Sequence, residues 1–273
     1  MSSDLHIHTN FSDGRFSPEE ILTLAKQVKL KYIAISDHDT VDGLIHLYEN
    51  NRFPAKAPYL IPSIEFSANH PTADIHILGY NIDIYNRNLS DKLSDVVEGR
   101  WMRFSAIMEK LSALGYPLAE AEVLKIAGSS RSISRSHIAR AMVKRGYFSS
   151  VRAAFSEVLS KGRPAYVSHY RLEVDEIVSL IKGAGGVPVL AHPALVGDDI
   201  LVGAVLDSGI EGLEAYYPQH DAAATERYLQ MAAAHGLLVT GGSDFHGFPS
   251  REPTELGVFT VDDALGEALY RAD

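Results

Sequence analysis

Short hydrophobic runs alternate with helix-period segments along most of this chain. The first run covers residues 4–9, and the Ser-Pro-Glu-Glu tetrapeptide at residues 17–20 has the N-cap, N1 proline and capping-box glutamate that begin a helix. Strand and helix patterns that alternate in this way predict a parallel α/β sheet or barrel. Further runs of strand length, several of them ending in polar clusters, cover residues 32–36, 59–64, 75–80, 187–191, 210–216 and 237–240.

The pattern changes between about residues 90 and 162, where helical periodicity continues without a strand pattern. The helical segments cover residues 93–114, 120–127, 136–144 and 151–159.

We predict that residues 91–162 form a helical insertion, which divides the barrel into residues 1–90 and 163–273. A lid or subdomain that holds an anionic substrate is one interpretation of its charges, and a solvated helix face is the other. Basic side chains are dense here for so acidic a chain, and they include Arg100, Arg103, Lys110, Arg131, Arg135, Arg140, Lys144 and Arg145.

The composition limits the chemistry that the chain can perform. Its 273 residues, with 46% hydrophobic and 22% charged, are typical of a folded globular protein that can bury a sizeable core. The absence of cysteine excludes disulfides, thiolate nucleophiles and cysteine-ligated metals. Metal binding or catalysis therefore falls to histidine, carboxylate and hydroxyl side chains.

Charge and hydropathy indicate the compartment and the class of partner. The chain has 35 acidic and 25 basic residues, and its net charge of −10 argues against a surface that wraps duplex DNA. A small polyanionic substrate stays compatible with this charge, because bound metal ions can reverse the local sign. The first residues lack the apolar segment of a secretory signal, and no run of about 18 apolar residues occurs. We expect a cytoplasmic protein that does not bind membranes.

Candidate metal ligands lie at the strand ends. In a parallel barrel the carboxyl ends of the strands form one face, so residues distant in sequence converge there. The two-residue period of a strand turns both imidazoles of His6-Ile7-His8 to the same side, and Asp244-Phe245-His246 repeats that spacing. Imidazoles and carboxylates without sulfur suit Zn, Mn or Fe at two or three adjacent ions. The nine candidates are His6, His8, Asp13, His38, Glu65, His76, His192, Asp244 and His246.

Each of these residues also has an ordinary explanation when it is taken alone. A single histidine at a strand end is more often a hydrogen-bonded core or surface residue than a metal ligand. Nine such groups buried on one face would together cost several kcal/mol in lost hydration, and a bound metal removes that penalty. The set as a whole therefore predicts a metal centre.

In order along the chain, these motifs resemble those of the PHP superfamily, named for polymerase and histidinol phosphatase. The resemblance implies a distorted (β/α)7 TIM-like barrel with three divalent metal ions, and Mn, Zn and Fe all remain open. The matching motifs are DLHIHT at residues 4–9, SDG at 12–14, SDHD at 36–39, Glu65, His76, AHP at 191–193 and GSDFH at 242–246.

The resemblance also implies how the ligands divide among the metals. Glu65 would bridge two ions, and a hydroxide held by the metal ligands would be the nucleophile. The third ion, or a nearby acid such as Asp37 or a group near His246, would stabilise the departing alkoxide. One metal would be bound by His6, His8, Glu65 and Asp244, a second by Glu65, His76 and His192, and a third by Asp13, His38 and His246.

Within the superfamily, the insertion and its flanking motifs are similar to the bacterial nucleoside 3′,5′-bisphosphate phosphatases, some of which also trim short RNA from its 5′ end. Those motifs are ISRSH at residues 133–137 and GRPAYV at 162–167. The resemblance implies that the insertion holds the substrate through Arg135, His137, Arg163 and Tyr166. His169 and His220 receive no role.

The expected function is removal of the 3′-phosphate from a nucleoside 3′,5′-bisphosphate. One alternative is a phosphatase for another small metabolite such as histidinol phosphate. A 5′ to 3′ exoribonuclease on short RNA would need a cleft open at one end, with Arg100, Arg103 and Arg131 along the backbone. The alternative that is not an enzyme is a PHP module within a polymerase assembly.

Overall fold

A single eight-stranded sheet forms the body of the protein. The structure is a computed structural model that describes residues 2–128, 130–168, 170–249 and 251–271. The strands are β1 (Ser2–Ile7), β2 (Leu30–Ile35), β3 (Tyr59–Ser67), β4 (His76–Tyr80), β5 (Val187–Leu190), β6 (Gly212–Tyr216), β7 (Leu238–Gly241) and the short β8 (Val261–Asp262).

The helices of the described residues lie between these strands and in one long stretch between β4 and β5. A π-helix, Phe155–Leu159, continues α6, and a short 3-10 helix, Pro193–Leu195, follows β5. The α-helices are α1 (Pro18–Gln27), α2 (Asp42–Glu49), α3 (Arg87–Ala113), α4 (Glu120–Ala127), α5 (Arg135–Lys144), α6 (Val151–Ala154), α7 (Val174–Gly183), α8 (Asp199–Asp207), α9 (Ala222–His235) and α10 (Asp263–Leu269).

The sheet curls into a nearly closed barrel, which confirms the predicted fold. Its strand order is β7-β6-β5-β4-β3-β2-β1-β8. The two sides meet where β1 approaches the segment after β7: the His8 amide donates to the Phe245 carbonyl at 3.0 Å, and the Phe245 amide donates to the His6 carbonyl at 3.3 Å. Closure of the barrel therefore brings the first and last candidate ligands of the chain side by side.

One strand runs against its neighbours. β4 is antiparallel to both β3 and β5, so the prediction of a wholly parallel sheet is wrong at this strand. Only residues 68–75 connect β3 to β4, and a parallel crossover needs a dozen residues or more. Because β4 is reversed, its first residue, His76, lies at the barrel end where β3 and β5 finish.

Three hydrophobic clusters hold these layers together. The largest joins strand residues such as Ile33 to the helices through residues such as Ile21 and Ile177. A second contains strand residues and Leu269 of α10, a helix that contacts β1, β2 and β7. The third consists of buried residues between Phe104 and Ala165 alone. The part of the helical stretch from Phe104 to Ala165 thus has a hydrophobic core of its own. The domain boundaries predicted for the insertion stay a prediction.

The helical stretch is anchored to the loops that carry candidate ligands. Ser132 Oγ donates to the His38 carbonyl at 3.0 Å, and Arg140 Nη2 donates to the Asp13 carbonyl at 3.3 Å. A buried ion pair links Arg100 of α3 to Asp39, whose other oxygen accepts from the Ser67 amide at 3.0 Å. These contacts fix the helices at the end of the barrel that carries the ligands.

Loss of the Asp39 carboxylate should destabilise the protein strongly. Asp39→Ala leaves the buried Arg100 guanidinium without its counter-charge, and we expect the free energy of unfolding to fall by about 3–5 kcal/mol. Asp95→Ala, which removes an exposed i,i+3 partner of Lys92 on the same helix, should change it by less than about 1 kcal/mol. Urea denaturation measures both variants, and equal midpoints would contradict the anchoring role.

Among the described residues, we find no helix with the length and apolar character needed to cross a membrane.

Candidate metal centre

All nine predicted ligands meet at one end of the barrel. His6 and Glu65 lie within β1 and β3, His76 begins β4, and the other six follow the ends of strands. Most of them are almost completely buried. The strand-end prediction therefore describes the placement well, except that His76 stands at the start of a reversed strand.

The Glu65 carboxylate is the centre of the cluster. Its Oε1 lies 2.8 Å from His76 Nδ1 and 3.0 Å from His192 Nε2. Its Oε2 lies 2.8 Å from His38 Nδ1 and 3.3 Å from His8 Nε2, and His6 Nε2 is 3.5 Å away. Burial alone would raise the pKa of Glu65, but the surrounding imidazoles, with His38 first, hold it well below its usual range.

The other two carboxylates extend the cluster away from Glu65. Asp244 Oδ1 lies 3.0 Å from His8 Nε2, and Asp13 Oδ1 lies 3.0 Å from His246 Nε2. Ligand atoms that approach one another within 4.8 Å form three overlapping groups: His8, Asp13, His38 and His246; His6, His8 and Asp244; and His38, Glu65 and His76.

The geometry fits metal ions better than hydrogen bonds. His38 Nδ1 and Glu65 Oε2 are only 2.8 Å apart, yet neither atom has a partner with hydrogen-bond geometry in the described part of the chain. Buried polar groups are ordinarily paired, so atoms that converge without pairing indicate a shared cation. Among the nine candidate ligands, the buried atoms without a hydrogen-bond partner are His6 Nε2, His8 Nδ1 and Nε2, Asp13 Oδ1, His38 Nδ1, Glu65 Oε2, His192 Nδ1, Asp244 Oδ1 and His246 Nε2.

The backbone is strained at two of the ligands. His192 and Asp244 have φ angles of 27° and 53°, in the left-handed region that side chains rarely adopt. Gly242 lies so close to β1 that a Cβ atom there would be 2.4 Å from the His6 amide nitrogen. A side chain at residue 242 would therefore collide with β1, so this position requires glycine. Other contacts must offset the backbone strain at His192 and Asp244.

Glu214 supplies one such contact, and the sequence analysis missed it. This fully buried carboxylate of β6 places Oε1 3.0 Å from His6 Nδ1, and its Oε2 accepts from the His192 amide at 2.8 Å. A carboxylate on the far nitrogen of a metal-binding histidine sets the ring orientation and tautomer. The signal was a glutamate at the centre of an otherwise apolar strand.

Two further buried aspartates brace the loops that carry ligands. Asp4 accepts from the Ser243 amide at 2.9 Å and also from its hydroxyl, and burial raises the pKa of Asp4 to about 7. Asp37 accepts from the Thr9 amide at 2.7 Å and from the Ser12 hydroxyl. Asp37 was a candidate helper for the leaving group, and its observed contacts are with the loop that leads to Asp13.

A cavity of about 180 Å³ opens beside the ligands, and we call it the metal cavity. Arginines of the helical stretch and of later loops line it together with Asp13, His38 and His76. Arg135 was predicted to hold the substrate. Arg103 was predicted to contact the substrate only if that substrate is RNA. Sequence reasoning missed Arg171 and Arg251, because they stand outside any recognisable motif.

The remaining predicted substrate contacts, His137, Arg163 and Tyr166, are not among the residues that line the metal cavity. His137 is buried, its Nδ1 accepts from the Ser134 amide at 3.1 Å, and burial lowers the pKa of this imidazole to about 4. Tyr166 borders a neighbouring cavity together with Arg135, whereas Arg163 is exposed. The roles of these residues stay predictions, and His169 lies outside the described residues.

Comparison with known proteins places the chain in a family. Its residues 4–90 match the PHP domain. Over 251 residues it is 32% identical to the 3′,5′-nucleoside bisphosphate phosphatase of Chromobacterium violaceum, covering 89% of this chain and 86% of that protein. The chain belongs to the PHP family.

Two further proteins are similar to this PHP protein over most of its length. It is 31% identical over 248 residues to the 5′-3′ exoribonuclease Rnm of Salmonella typhimurium, covering 89% of this chain and 84% of that protein. A solved structure from Bifidobacterium adolescentis, named as a candidate metal-dependent phosphoesterase, superposes with a TM-score of 0.86 at 31% identity and covers 98% and 94% of the two chains. This PHP protein is a metal-dependent phosphoric ester hydrolase.

Proposed function

We propose that this hydrolase removes the 3′-phosphate of nucleoside 3′,5′-bisphosphates, giving the 5′-monophosphate and inorganic phosphate. The observation that carries the proposal is Arg103, which is buried, lines the metal cavity and has an Nη2 with no partner in the described part of the chain. A buried guanidinium with a free donor favours an anionic ligand. A substrate with a second phosphate supplies that anion.

The surroundings of Arg103 concentrate positive charge beside the ligands. Arg100, Arg135 and Arg171 line the same cavity. Burial, followed by repulsion from Arg135 and Arg100, lowers the pKa of Arg103 to about 8. Asp39 already neutralises Arg100, and Asp74 lies 3.3 Å from Arg171. Arg251, which also lines the cavity, lies 2.8 Å from Asp244. Arg103 and Arg135 are therefore the arginines of this lining that we assign to the 5′-phosphate.

The ligand residues would hold the metals as the family resemblance implies. His6, His8, Glu65 and Asp244 would bind one ion, Glu65, His76 and His192 a second, and Asp13, His38 and His246 a third. Such ions supply a water of lowered pKa and neutralise phosphoryl oxygens when bound.

The chain's own residues then orient the substrate. Arg103 and Arg135 would hold the 5′-phosphate, so that the 3′-phosphate lies at the ligands. Water adds to phosphorus as the bond between phosphorus and O3′ breaks, and O3′ leaves with a proton. Anchoring through a distant group lowers the barrier by fixing the reacting atoms in line.

Charge argues against histidinol phosphate as the substrate. That molecule carries an ammonium group where a bisphosphate carries its second anion. The arginine-lined wall of the metal cavity would repel it.

The 5′-phosphate interaction predicts a substrate-dependent defect. Arg103→Ala should lower kcat/KM for adenosine 3′,5′-bisphosphate by about 100-fold, because a buried charge pair is lost. Hydrolysis of 3′-AMP, which lacks the 5′-phosphate, should change by less than about threefold. Arg135→Ala should likewise raise KM for the bisphosphate more than for an aryl phosphate.

Phosphate release by the Mn-reconstituted protein measures these effects, with AMP, 3′-AMP and histidinol phosphate alongside the bisphosphate. Arg131→Ala, at an exposed arginine of the same region, is the matched control. Equal losses on bisphosphate and 3′-AMP would contradict the 5′-phosphate role. If the wild-type protein hydrolysed histidinol phosphate faster than the bisphosphate, the assignment of a nucleotide substrate would be overturned.

A further inference from the structure

Arg251 differs from the other arginines that line the metal cavity. In the described part of the chain, the side chains of those arginines pair with aspartates outside the candidate ligand set or donate to backbone carbonyls. Arg251 Nη2 donates instead to Asp244 Oδ2, at 2.8 Å. Arg251 is thus the arginine of this lining whose side chain contacts a candidate metal ligand.

The two carboxylate oxygens of Asp244 have different surroundings. Oδ1 lies 3.0 Å from His8 Nε2 and has no hydrogen-bond partner among the described residues. Oδ2 accepts from Arg251 and also from the Tyr217 hydroxyl, at 3.1 Å. Two donors therefore fix the carboxylate through Oδ2, and Oδ1 is left to bind a metal ion.

The contact with Asp244 leaves most of the Arg251 guanidinium unused. This group has five N–H donors in a rigid fork, and the hydrogen bond to Asp244 is made by Nη2. The side chain is 40% exposed and lines the metal cavity together with Asp13. Burial opposes its charge, but the carboxylates of Asp244 and Asp13 raise the pKa of Arg251 above its usual value. A charged group with further donors therefore stands in the cavity wall, directly beside the ligands.

We propose that Arg251 is a catalytic residue, which donates to the oxygens of the phosphoryl group under attack while it holds Asp244. A phosphoryl group placed at the ligands lies beside Asp244 and therefore beside the guanidinium that Asp244 binds. As the ester bond breaks, negative charge spreads over the equatorial oxygens of this group, and a guanidinium already held in place stabilises that charge. The inference rests on the phosphoric ester hydrolase activity and does not depend on which ester is the substrate.

Arg251→Ala should lower kcat for every ester, because the lost donors act at the reacting phosphorus. We expect a loss of about 100- to 1,000-fold, with a much smaller change in KM. Adenosine 3′,5′-bisphosphate, 3′-AMP and 4-nitrophenyl phosphate should be affected to a similar extent. Arg103→Ala should instead spare the esters that lack a second phosphate. Arg251→Lys should recover little of the loss, since one compact ammonium cannot hold Asp244 and the phosphoryl oxygens together.

Tyr217→Phe separates the two roles of Arg251. Tyr217 is buried and is not among the residues that line the metal cavity, so its hydroxyl can act on the reaction only through Asp244. Competition with a chelator should show weaker Mn binding in both Tyr217→Phe and Arg251→Ala. Excess Mn should restore most of the kcat of Tyr217→Phe and leave Arg251→Ala about 100-fold below the wild type.

Orthovanadate gives a readout that needs no turnover. It adopts the five-coordinate geometry of the transition state, whereas inorganic phosphate is the tetrahedral product. Titration calorimetry of the Mn-loaded protein should show that Arg251→Ala loses more affinity for vanadate than for phosphate. Arg145→Ala, which removes an exposed arginine paired with Glu122, is the matched control and should alter neither affinity.

Several outcomes would overturn the inference. Recovery of Arg251→Ala by excess Mn would reduce Arg251 to a support for Asp244, and equal losses of vanadate and phosphate affinity would exclude a role in the transition state. A defect confined to the bisphosphate would assign Arg251 to the distant phosphate. Arg251→Lys keeps a charge beside Asp244 and supplies the same readouts if the alanine variant does not fold.

These measurements also separate the inference from the proposed function. A wild-type protein that hydrolyses 4-nitrophenyl phosphate and leaves the bisphosphate intact would overturn the proposed function alone. The defect of Arg251→Ala on the aryl ester, and its vanadate affinity, would still decide the role of Arg251.

Discussion

Glu65→Gln is expected to abolish both metal binding and turnover. Five imidazole nitrogens lie between 2.8 and 3.5 Å from the two carboxylate oxygens of Glu65. The amide removes the negative charge and directs two N–H donors at atoms that should face a cation. Loss of a side chain that orients a metal ligand typically lowers metal affinity or activity by about 10- to 100-fold. Loss of the ligand itself should lower both by far more. We expect activity to fall below detection, as it should for Asp244→Asn and His192→Ala.

Metal content separates loss of the site from loss of the fold. Plasma mass spectrometry of the purified protein should find the bound metal greatly reduced in Glu65→Gln, while far-UV circular dichroism stays unchanged. Glu109→Gln makes the same substitution at an exposed position of α3 and should retain full metal content and turnover. A Glu65→Gln protein with normal metal content would remove Glu65 from the centre.

Glu214→Gln should weaken the centre without touching a metal. One Glu214 oxygen faces His6 Nδ1, and the other accepts from the His192 amide. Glutamine has only one acceptor oxygen, so it can satisfy one of these two donors and must turn an N–H toward the other. If that N–H faces His6, the ring takes the tautomer that carries a proton on Nε2, the nitrogen directed at Glu65. We expect metal affinity to fall by about 10- to 100-fold.

Two measurements distinguish this effect from simple destabilisation. Competition with a chelator gives the metal affinity, and excess metal should restore much of the kcat if Glu214 acts by holding the ligands. Glu211→Gln, an exposed position three residues earlier that pairs with Lys182, should leave the affinity unchanged. Unaltered metal affinity in Glu214→Gln would show that the carboxylate serves the backbone alone.

The candidate metal ligands could be predicted from the sequence because their signal is local. His6 and His8 stand two residues apart in a strand, and Asp244 and His246 repeat that spacing near the other end of the chain. A strand end is recognisable from a few neighbouring residues, and parallel strands end on one face. The residue types then suffice to predict the chemistry of the cluster, whatever the distance along the chain.

The reversed direction of β4 and the contacts that Glu214 makes with candidate ligands could not be predicted in this way. A period-two pattern reads the same in both directions, so only the short connection after Ser67 indicates that β4 is antiparallel. Glu214 looks like one polar residue in a strand. Its function depends on a partner 208 positions away, His6, which only closure of the barrel brings into contact.

The sequence by itself determined the α/β architecture, the helical stretch after β4 and the nine residues of the candidate centre, because short-range periodicity and residue chemistry encode them. The tertiary structure decided which arginines face that centre. Basic residues are spread through the helical stretch, and only packing against the barrel buries Arg103 beside the ligands and leaves other arginines, such as Arg131, largely exposed. Burial and pairing are properties of the assembled fold, so the arginines that face the candidate centre could be identified only from the tertiary structure.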